Sequence, residues 1–289
     1  MQIKAYAKIN LYLDVTGKRD DGYHNIIGIM QSVDLYDLVT VTLDRAAPGE
    51  ICLRCGGDLP CDSRNLAYRA ADAYFAGEIP CRVEIDVQKN IPMEAGLAGG
   101  SADCAAVLRA LNAELGRYNE QQLLALGKEL GADVPFCLVG GTQITKGIGE
   151  ELTPCPGMPD CYTVIARGGQ GVSTPAAYRA LDSLYGDFSD REQQGEIALR
   201  SLCSAMQKGD LQAACAVMYN VFQQVVLPEH QVAASLKQTM LEGGAVGCMM
   251  SGSGPSMVGF FDDQQKAEAV CGKIRKQGIA AYVARPINQ

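Results

Sequence analysis

Apolar and polar residues alternate with a period of two through much of the first ninety positions, and this predicts a strand-rich opening. Strands are expected at 2–7, 9–18 and 26–34, with Asp20-Asp21-Gly22 as a turn, and again at 38–43 and 51–55, before and after the break at Pro48-Gly49. The spacing then lengthens to a helical one over 65–76, returns to alternation over 81–87, and lengthens again over 101–115 and 119–130. Gly131 and Pro135 interrupt the pattern around Asp133, and the short apolar runs 136–139 and 143–145 read as strands.

Three prolines, Pro154, Pro156 and Pro159, mark a boundary near 155 and divide the chain into 1–154 and 155–289. Beyond it, strands at 162–166, 247–250, 257–261 and 279–284 alternate with helices at 191–207, 211–225, 228–241 and 263–277. There is no solenoid-length repeat and no low-complexity tract. Two domains of mixed α+β class are the expected architecture.

A chain of 289 residues with 47% hydrophobic side chains can bury substantial cores without cross-links. Its 25 Lys and Arg against 33 Asp and Glu leave a formal charge of -8, which argues against nucleic acid as a partner but permits a local phosphate pocket. Residues 1–10 alternate charge with apolarity, and no stretch of roughly 20 apolar residues follows, so a cytoplasmic protein without leader or membrane anchor is expected. Oligomeric state is left as monomer or homodimer. Twelve cysteines are scattered and read as reduced. Cys52, Cys55 and Cys61 suggest zinc, but a second close pair and any neighbouring histidine are missing, so free thiols on a strand and loop are expected.

The most informative run is Pro92-Met93-Glu94-Ala95-Gly96-Leu97-Ala98-Gly99-Gly100-Ser101-Ala102-Asp103, set directly before an apolar helical pattern. Glycines let successive amides approach an anion, and the following helix presents free N–H groups and its positive dipole end. The run fits nucleotide phosphates, or else a flexible turn and helix cap. Ser101 adds an oxygen for capping or for a phosphate-bound Mg2+. Neither the GxxxxGK[ST] loop nor the GxGxxG dinucleotide fingerprint is present.

At the start of the chain, Lys4, Tyr6, Lys8 and Asn10 share one face of an extended strand, either a cationic site edge or a solvated face. Asp133, in Gly131-Ala132-Asp133-Val134-Pro135, is a carboxylate held by a turn, suited to proton abstraction or to an ordinary Asx-turn or helix cap.

Taken together, these segments resemble the GHMP small-molecule kinases, and within them the branch that acts on 4-diphosphocytidyl-2-C-methyl-D-erythritol. The likeness runs through nearly all 289 residues: Lys4 to Leu11 as the opening motif, Asp21-Gly22-Tyr23-His24 as a substrate motif, and Pro92 to Ala102 as the ATP loop. Gly131 to Phe136 resembles the catalytic aspartate motif, and Met250-Ser251-Gly252-Ser253-Gly254-Pro255-Ser256 the third family motif.

The resemblance implies an N-terminal ribosomal protein S5 domain 2-like fold and a C-terminal ferredoxin-like fold. It implies ATP-dependent phosphorylation of the substrate's 2-hydroxyl, giving ADP, in the non-mevalonate isoprenoid pathway. Asp133 would be the general base, Lys8 would orient or activate it, and Asn10 would support the same centre. Residues 92–102 would hold the ATP phosphates, Asn65 and Leu66 would lie on the adenosine side, Lys89 would assist, and Ser101 would meet Mg2+ through Mg-ATP. Tyr23, His24 and Tyr178 would recognise cytidine, helped by Ser173, Thr174, Gly252 and Gly254. Glu94 and Ala98 stand where the family commonly has glycine, and Glu94 is expected to face outward or act through Mg2+. Another GHMP kinase, or a catalytically inactive nucleotide-binding relative, is the alternative.

Overall fold

The computed structural model describes residues 1–57 and 59–288. In chain order its elements begin with β1 (Gln2–Lys18), β2 (His24–Asp44), β3 (Glu50–Cys55), α1 (Leu66–Phe75), β4 (Arg82–Gln88) and α2 (Gly99–Leu115). There follow α3 (Glu120–Leu130), α4 (Val134–Val139), β5 (Thr142–Lys146), β6 (Glu151–Pro154), β7 (Tyr162–Arg167), α5 (Thr174–Tyr185) and α6 (Arg191–Gln207). The chain ends with α7 (Leu211–Val217), β8 (Tyr219–Asn220), α8 (Gln223–Val226), α9 (Gln231–Glu242), β9 (Gly247–Met250), β10 (Ser256–Phe261), α10 (Gln264–Arg275) and β11 (Ala281–Ala284). The α+β expectation holds.

Two compact units form. The first comprises Met1–Ala7, Leu35–Ile91 and Ala98–Gly140; the second comprises Lys8–Asp34, Pro92–Leu97 and everything from Gly141 onward. These are not the successive stretches 1–154 and 155–289 that the prolines suggest. The reason is that β1 and β2 are single strands of 17 and 21 residues, where shorter paired strands were expected, and each runs from one unit into the other.

In the first unit, β3 pairs parallel with β4, and β4 pairs antiparallel with the end of β2, Leu38 opposite Gln88 through Asp44 opposite Arg82. Alternate residues Val83, Ile85 and Val87 of β4 point to a buried face shared with Val39 and Val41. Small buried residues, Ala67, Ala70 and Ala71 on α1 and Cys104 and Ala105 on α2, let those two helices pack closely. Asn119 and Gln122 form a reciprocal capping box at the start of α3.

In the second unit, β11, β7, β10 and β9 make an antiparallel sheet in that order. Helices α9 and α10 cover it through Leu236, Met240, Val270 and Ile274, all buried. Residues 28–31 of β2 pair with β5, β5 pairs with β6, and β8 pairs parallel with β1 at Tyr12 and Leu13.

Besides β6, a strand where none was expected, three elements depart from the expected pattern. Residues 134–139 form a helix, not the expected strand at 136–139: Pro135 lies in its first turn, and Cys137 N–H reaches the Asp133 carbonyl at 3.1 Å. The expected helix 211–225 breaks after Val217 because Val221 N–H bonds the Leu13 carbonyl at 3.0 Å, drawing Tyr219 and Asn220 into the sheet edge. Finally, α5 was not expected; its signals are Ser173 at the N-cap, Pro175 in the first turn and Gly186 at the stop. Among the described residues, no helix is long and apolar enough to cross a membrane.

Candidate active site

In the second unit the opening strand and two glycine loops converge on Asn10. Lys8 is only 4% exposed, and its Nζ donates to Asn10 Oδ1 at 2.8 Å. The same oxygen accepts Gly252 N–H at 2.9 Å, while Asn10 Nδ2, also buried, has no partner among the described residues. Lys8 meets no carboxylate among the described residues. A buried ammonium thus has a neutral acceptor but no anionic partner, a buried amide N–H has no acceptor among the described residues, and burial of such groups under-satisfied is unfavourable. An anion or a hydroxyl-bearing ligand would satisfy both.

The loops that hold this centre fit each other closely. A Cβ on Gly96, whose φ is +72°, would fall 2.2 Å from the Ser251 carbonyl oxygen, and Ser251 Oγ donates to the Gly96 carbonyl at 2.9 Å. Gly252 is at φ +57°, and a Cβ there would stand 3.4 Å from Lys8 Nζ. Behind them Asn220, fully buried, donates from Nδ2 to the carbonyls of Met250 at 2.7 Å and Gly252 at 2.8 Å, and accepts Phe222 N–H at 3.0 Å. Gly254 lies next to these residues in the same loop at φ +89°.

Glu94 and Ala98 adopt φ of +50° and +56°, the region glycine occupies without steric penalty, which explains why glycine suits both positions. Glu94 is exposed, as expected, and its side chain lies against Gly171. Met93 and Gly100 are also exposed, whereas Ala95, Leu97 and Ala102 are buried, so those three can offer a ligand only backbone. Pro92 is half-buried. Glu94→Gly should raise stability by about 0.5–1 kcal/mol, because relief of a left-handed residue, about 1–2 kcal/mol, exceeds the usual entropy cost of glycine. A thermal unfolding midpoint at or below that of the parent chain would contradict this.

In the first unit, α2 begins at Gly99 with Ala98 as N-cap and no side-chain cap. Ser101 therefore sits inside the first turn, and its hydroxyl makes no hydrogen bond among the described residues. Asn65 caps α1: Oδ1 accepts Ala67 N–H at 2.9 Å and Nδ2 donates to the Pro60 carbonyl at 2.9 Å, so its side chain is fully engaged. Leu66 would touch a Cβ on Gly100 at 3.6 Å and so lies along the start of α2.

Lys89 is not a solvated lysine. Its Nζ pairs with Asp37 and, at 2.7 Å, with Asp103, while Asp37 also accepts the N–H groups of Asn90 and Ile91 at 2.5 and 2.8 Å. Asp103 Oδ1 has no partner among the described residues. Burial pushes the Asp103 carboxyl up to about 7, against the pull of Lys89 and with the help of the Asp37 charge. Between its ordinary range and 7, the unfolded chain releases this proton before the folded one, so the contribution of Asp103 to stability falls as pH rises through that interval. Asp103→Asn should therefore gain on the parent chain in urea midpoint from pH 5 to pH 8; a difference independent of pH would refute it.

Asp133 is the N-cap residue of α4 by position but not by bonding. Its φ and ψ are -84° and -10°, its carboxylate caps no amide, and it makes no hydrogen bond or ion pair among the described residues. The Asx-turn and cap readings of this residue do not apply, and the carboxylate is free for chemistry.

The residues expected to read cytidine all belong to the second unit. Tyr23 is 60% exposed, with its N–H held by Asp21 Oδ1 at 3.0 Å, so the ring is open to a ligand. His24 is buried and stacks on Tyr178 with ring centres 4.6 Å apart and planes at 20°. One face of Tyr178 is thus taken by imidazole. Ser173 and Thr174 start α5, and Thr174 Oγ1 lies 2.8 Å from Ser253 Oγ, tying this segment to the third glycine loop. A cleft of about 550 Å³ is lined by Thr16, Gly17, Lys18, Asp182 and Phe188 among others, and none of the expected site residues lines it.

No group of three or more His, Cys, Asp or Glu side chains that could hold a metal occurs among the described residues. Cys55 and Cys61 do approach each other, with sulfurs 2.8 Å apart. The unpartnered Ser101 hydroxyl fits a magnesium ion that arrives with phosphate oxygens, the usual way Mg2+ is held at nucleotide sites.

Residues 65–141 match the GHMP kinases N terminal domain and residues 202–280 match the GHMP kinases C terminal family. A 4-diphosphocytidyl-2-C-methyl-D-erythritol kinase of Clostridium botulinum (strain Alaska E43 / Type E3) is 40% identical over 290 residues, covering 99% of this chain and 100% of that one. The chain belongs to the GHMP kinases, in the family of the 4-diphosphocytidyl-2-C-methyl-D-erythritol kinases. A kinase of the same description from Alkaliphilus metalliredigens (strain QYMF) is 42% identical, covering 93% of this chain and 90% of that one. Among solved structures, a 4-(cytidine 5'-diphospho)-2C-methyl-D-erythritol kinase matches with a TM-score of 0.82 at 30% identity over the whole of both chains. A homoserine kinase from Cytophaga hutchinsonii shares the fold, with a TM-score of 0.71 at 21% identity over 100% of this chain and 95% of that one.

Two residues of this GHMP kinase escaped the sequence reading. Asn220 lies in a segment whose apolar spacing is helical, and Asp182 lies in a helix that was not expected. The second was within reach, since the Ser173-Thr174-Pro175 start and Gly186 stop would have placed Asp182 two turns inside α5.

Proposed function

We propose that this chain transfers the γ-phosphoryl group of ATP to the 2-hydroxyl of 4-diphosphocytidyl-2-C-methyl-D-erythritol, releasing ADP and the 2-phosphate, as a cytoplasmic enzyme of non-mevalonate isoprenoid synthesis. The observation that carries this reading is the Lys8–Asn10–Gly252 centre, a buried ammonium and a free buried amide without an anionic partner among the described residues. The full-length kinship with kinases named for this substrate supports the choice of acceptor.

Asp133 takes the hydroxyl proton as the substrate oxygen attacks phosphorus. The O–H bond breaks, the new O–P bond forms, and the bond from the γ-phosphorus to the bridging oxygen breaks with its electron pair leaving on ADP. Lys8 meets the negative charge of the transferring group, and Asn10 Nδ2 donates to it or to the attacking oxygen. The amides of residues 92–102 and the start of α2 hold the ATP phosphates, with Ser101 toward Mg2+ and Leu66 on the nucleoside side. When bound, Mg2+ spreads the charge of the β- and γ-phosphates. Lys89, held by Asp37 and Asp103, positions the start of α2, and Asn65 supports the nucleoside side through its backbone.

Tyr23 supplies a stacking face for cytosine and His24 a polar edge, with Tyr178 as the platform behind His24. Ser173, Thr174 and Gly254 border the same substrate. The family's N- and C-terminal domains are proposed as 1–154 and 155–289, a division of modules that differs from the compact units.

Purified protein with Mg-ATP and a panel of alcohols tests the reading. ADP and phosphorylated product in equal amounts, from the cytidine-bearing alcohol alone, is the expected result. Preference for homoserine or mevalonate, or ATP binding without product, would overturn it.

A further inference from the structure

We propose that Asp182 sets the tautomer of His24 and so makes this site select cytosine over uracil. The inference rests on the reading above that His24 faces the nucleobase, and it adds a positioning residue whose role is specificity.

Asp182 lies on α5, and its two oxygens are divided between two neighbours. Oδ2 accepts from Lys18 Nζ at 2.6 Å, and Oδ1 lies 2.6 Å from His24 Nε2. Burial raises the Asp182 carboxyl, but the hydrogen bonds from Lys18 and His24 outweigh it and hold the group below the usual carboxylate range. An ionised carboxylate only accepts, so the ring nitrogen facing it carries the hydrogen. In the neutral imidazole this leaves the lone pair on Nδ1. That atom makes no hydrogen bond among the described residues.

The ring is also fixed in plane and orientation. Tyr178 stacks on it at 4.6 Å, Phe188 meets it edge-on at 6.1 Å and 83°, and the side chain is only 6% exposed. Rotating the ring to exchange its nitrogens would break the Asp182 contact and leave a buried donor unpaired. Nδ1 is therefore presented as a fixed acceptor. Cytosine offers an exocyclic amine, a donor, at the position where uracil offers a carbonyl oxygen, an acceptor. The first completes a hydrogen bond with Nδ1, and the second sets two lone pairs against each other in a site with little water to intervene.

The test compares the cytidine substrate with its uridine-diphosphate-linked analogue. The parent enzyme should favour cytidine in kcat/KM by roughly a hundredfold or more, as expected where a directed hydrogen bond is replaced by an unpaired group. Asp182→Ala should reduce that preference to less than about tenfold, chiefly through a higher KM for the cytidine substrate, with kcat at saturation held within about threefold. A merely structural role would weaken both substrates together and leave their ratio unchanged, and that result would overturn the proposal.

The chain has only two histidines, so 15N spectra of the parent enzyme, with His230→Gln to assign the signals, read His24 even where Asp182→Ala folds poorly. The Nε2–H tautomer supports the assignment, and Nδ1–H overturns it. A parent enzyme that uses both nucleotides alike overturns the tautomer argument alone, whereas one that phosphorylates neither removes the kinase reading beneath it.

Discussion

Asp133→Asn should leave ATP affinity unchanged and lower phosphoryl transfer by roughly a hundred- to ten-thousandfold, the range usual for removal of a general base. The substitution keeps the size and shape of the side chain and deletes only its ability to take a proton. Stability should barely move, because the carboxylate caps no amide and makes no hydrogen bond or ion pair among the described residues. What holds it is backbone: Pro135 in the first turn of α4, and the Asp133 carbonyl accepting Cys137 N–H at 3.1 Å. ATP titration calorimetry and ADP release, measured on the same preparation, separate binding from turnover. Turnover within about tenfold of the parent enzyme would remove Asp133 from the chemistry.

Asn220→Ala should produce the largest loss of stability of any single substitution named here, about 3–5 kcal/mol, from breaking a buried hydrogen-bond network. The side chain is fully buried and satisfies three backbone groups: the Met250 and Gly252 carbonyls and Phe222 N–H. Alanine leaves all three without that partner and opens a cavity beneath the loop. Because Gly252 N–H in turn holds Asn10, which holds Lys8, activity should fall with stability even where the chain remains folded. Urea unfolding at low temperature measures the first effect, and kcat under native conditions the second. A stability change below about 1 kcal/mol, the scale of one ordinary hydrogen bond, would show that the network does not hold the loop.

The parts of this molecule that were legible in its sequence are those where local pattern and tertiary packing agree. The strands of the C-terminal antiparallel sheet and the helices α2, α3 and α10 fall close to where periodicity places them, and Lys8 and Asn10 meet because two residues apart on a strand share a face. The glycine at 96 was a signal of close approach, and the Ser251 carbonyl against it is the cause. The run 136–139 is apolar and short, without a period, and Pro135 in the first turn is the local mark of its helix. Elsewhere distant contacts decided. Residues 218–222 have helical spacing, yet the free edge of β1 captured their backbone. Nothing in the neighbourhood of Lys89 along the chain announces its pairing with Asp37, 52 residues earlier. Such partners are invisible to periodicity, which reports burial but not what lies opposite.

The joint action proposed for Lys8 and Asp133 in one phosphoryl transfer is tested most directly by Lys8→Met, Asp133→Asn and the double variant, assayed for product formation with the cytidine substrate. Residues that serve one step are strongly non-additive, so the double variant should be no more than about tenfold slower than the worse single one. Losses that multiply in full would mean that the two side chains act independently, and the mechanism proposed for them would not stand.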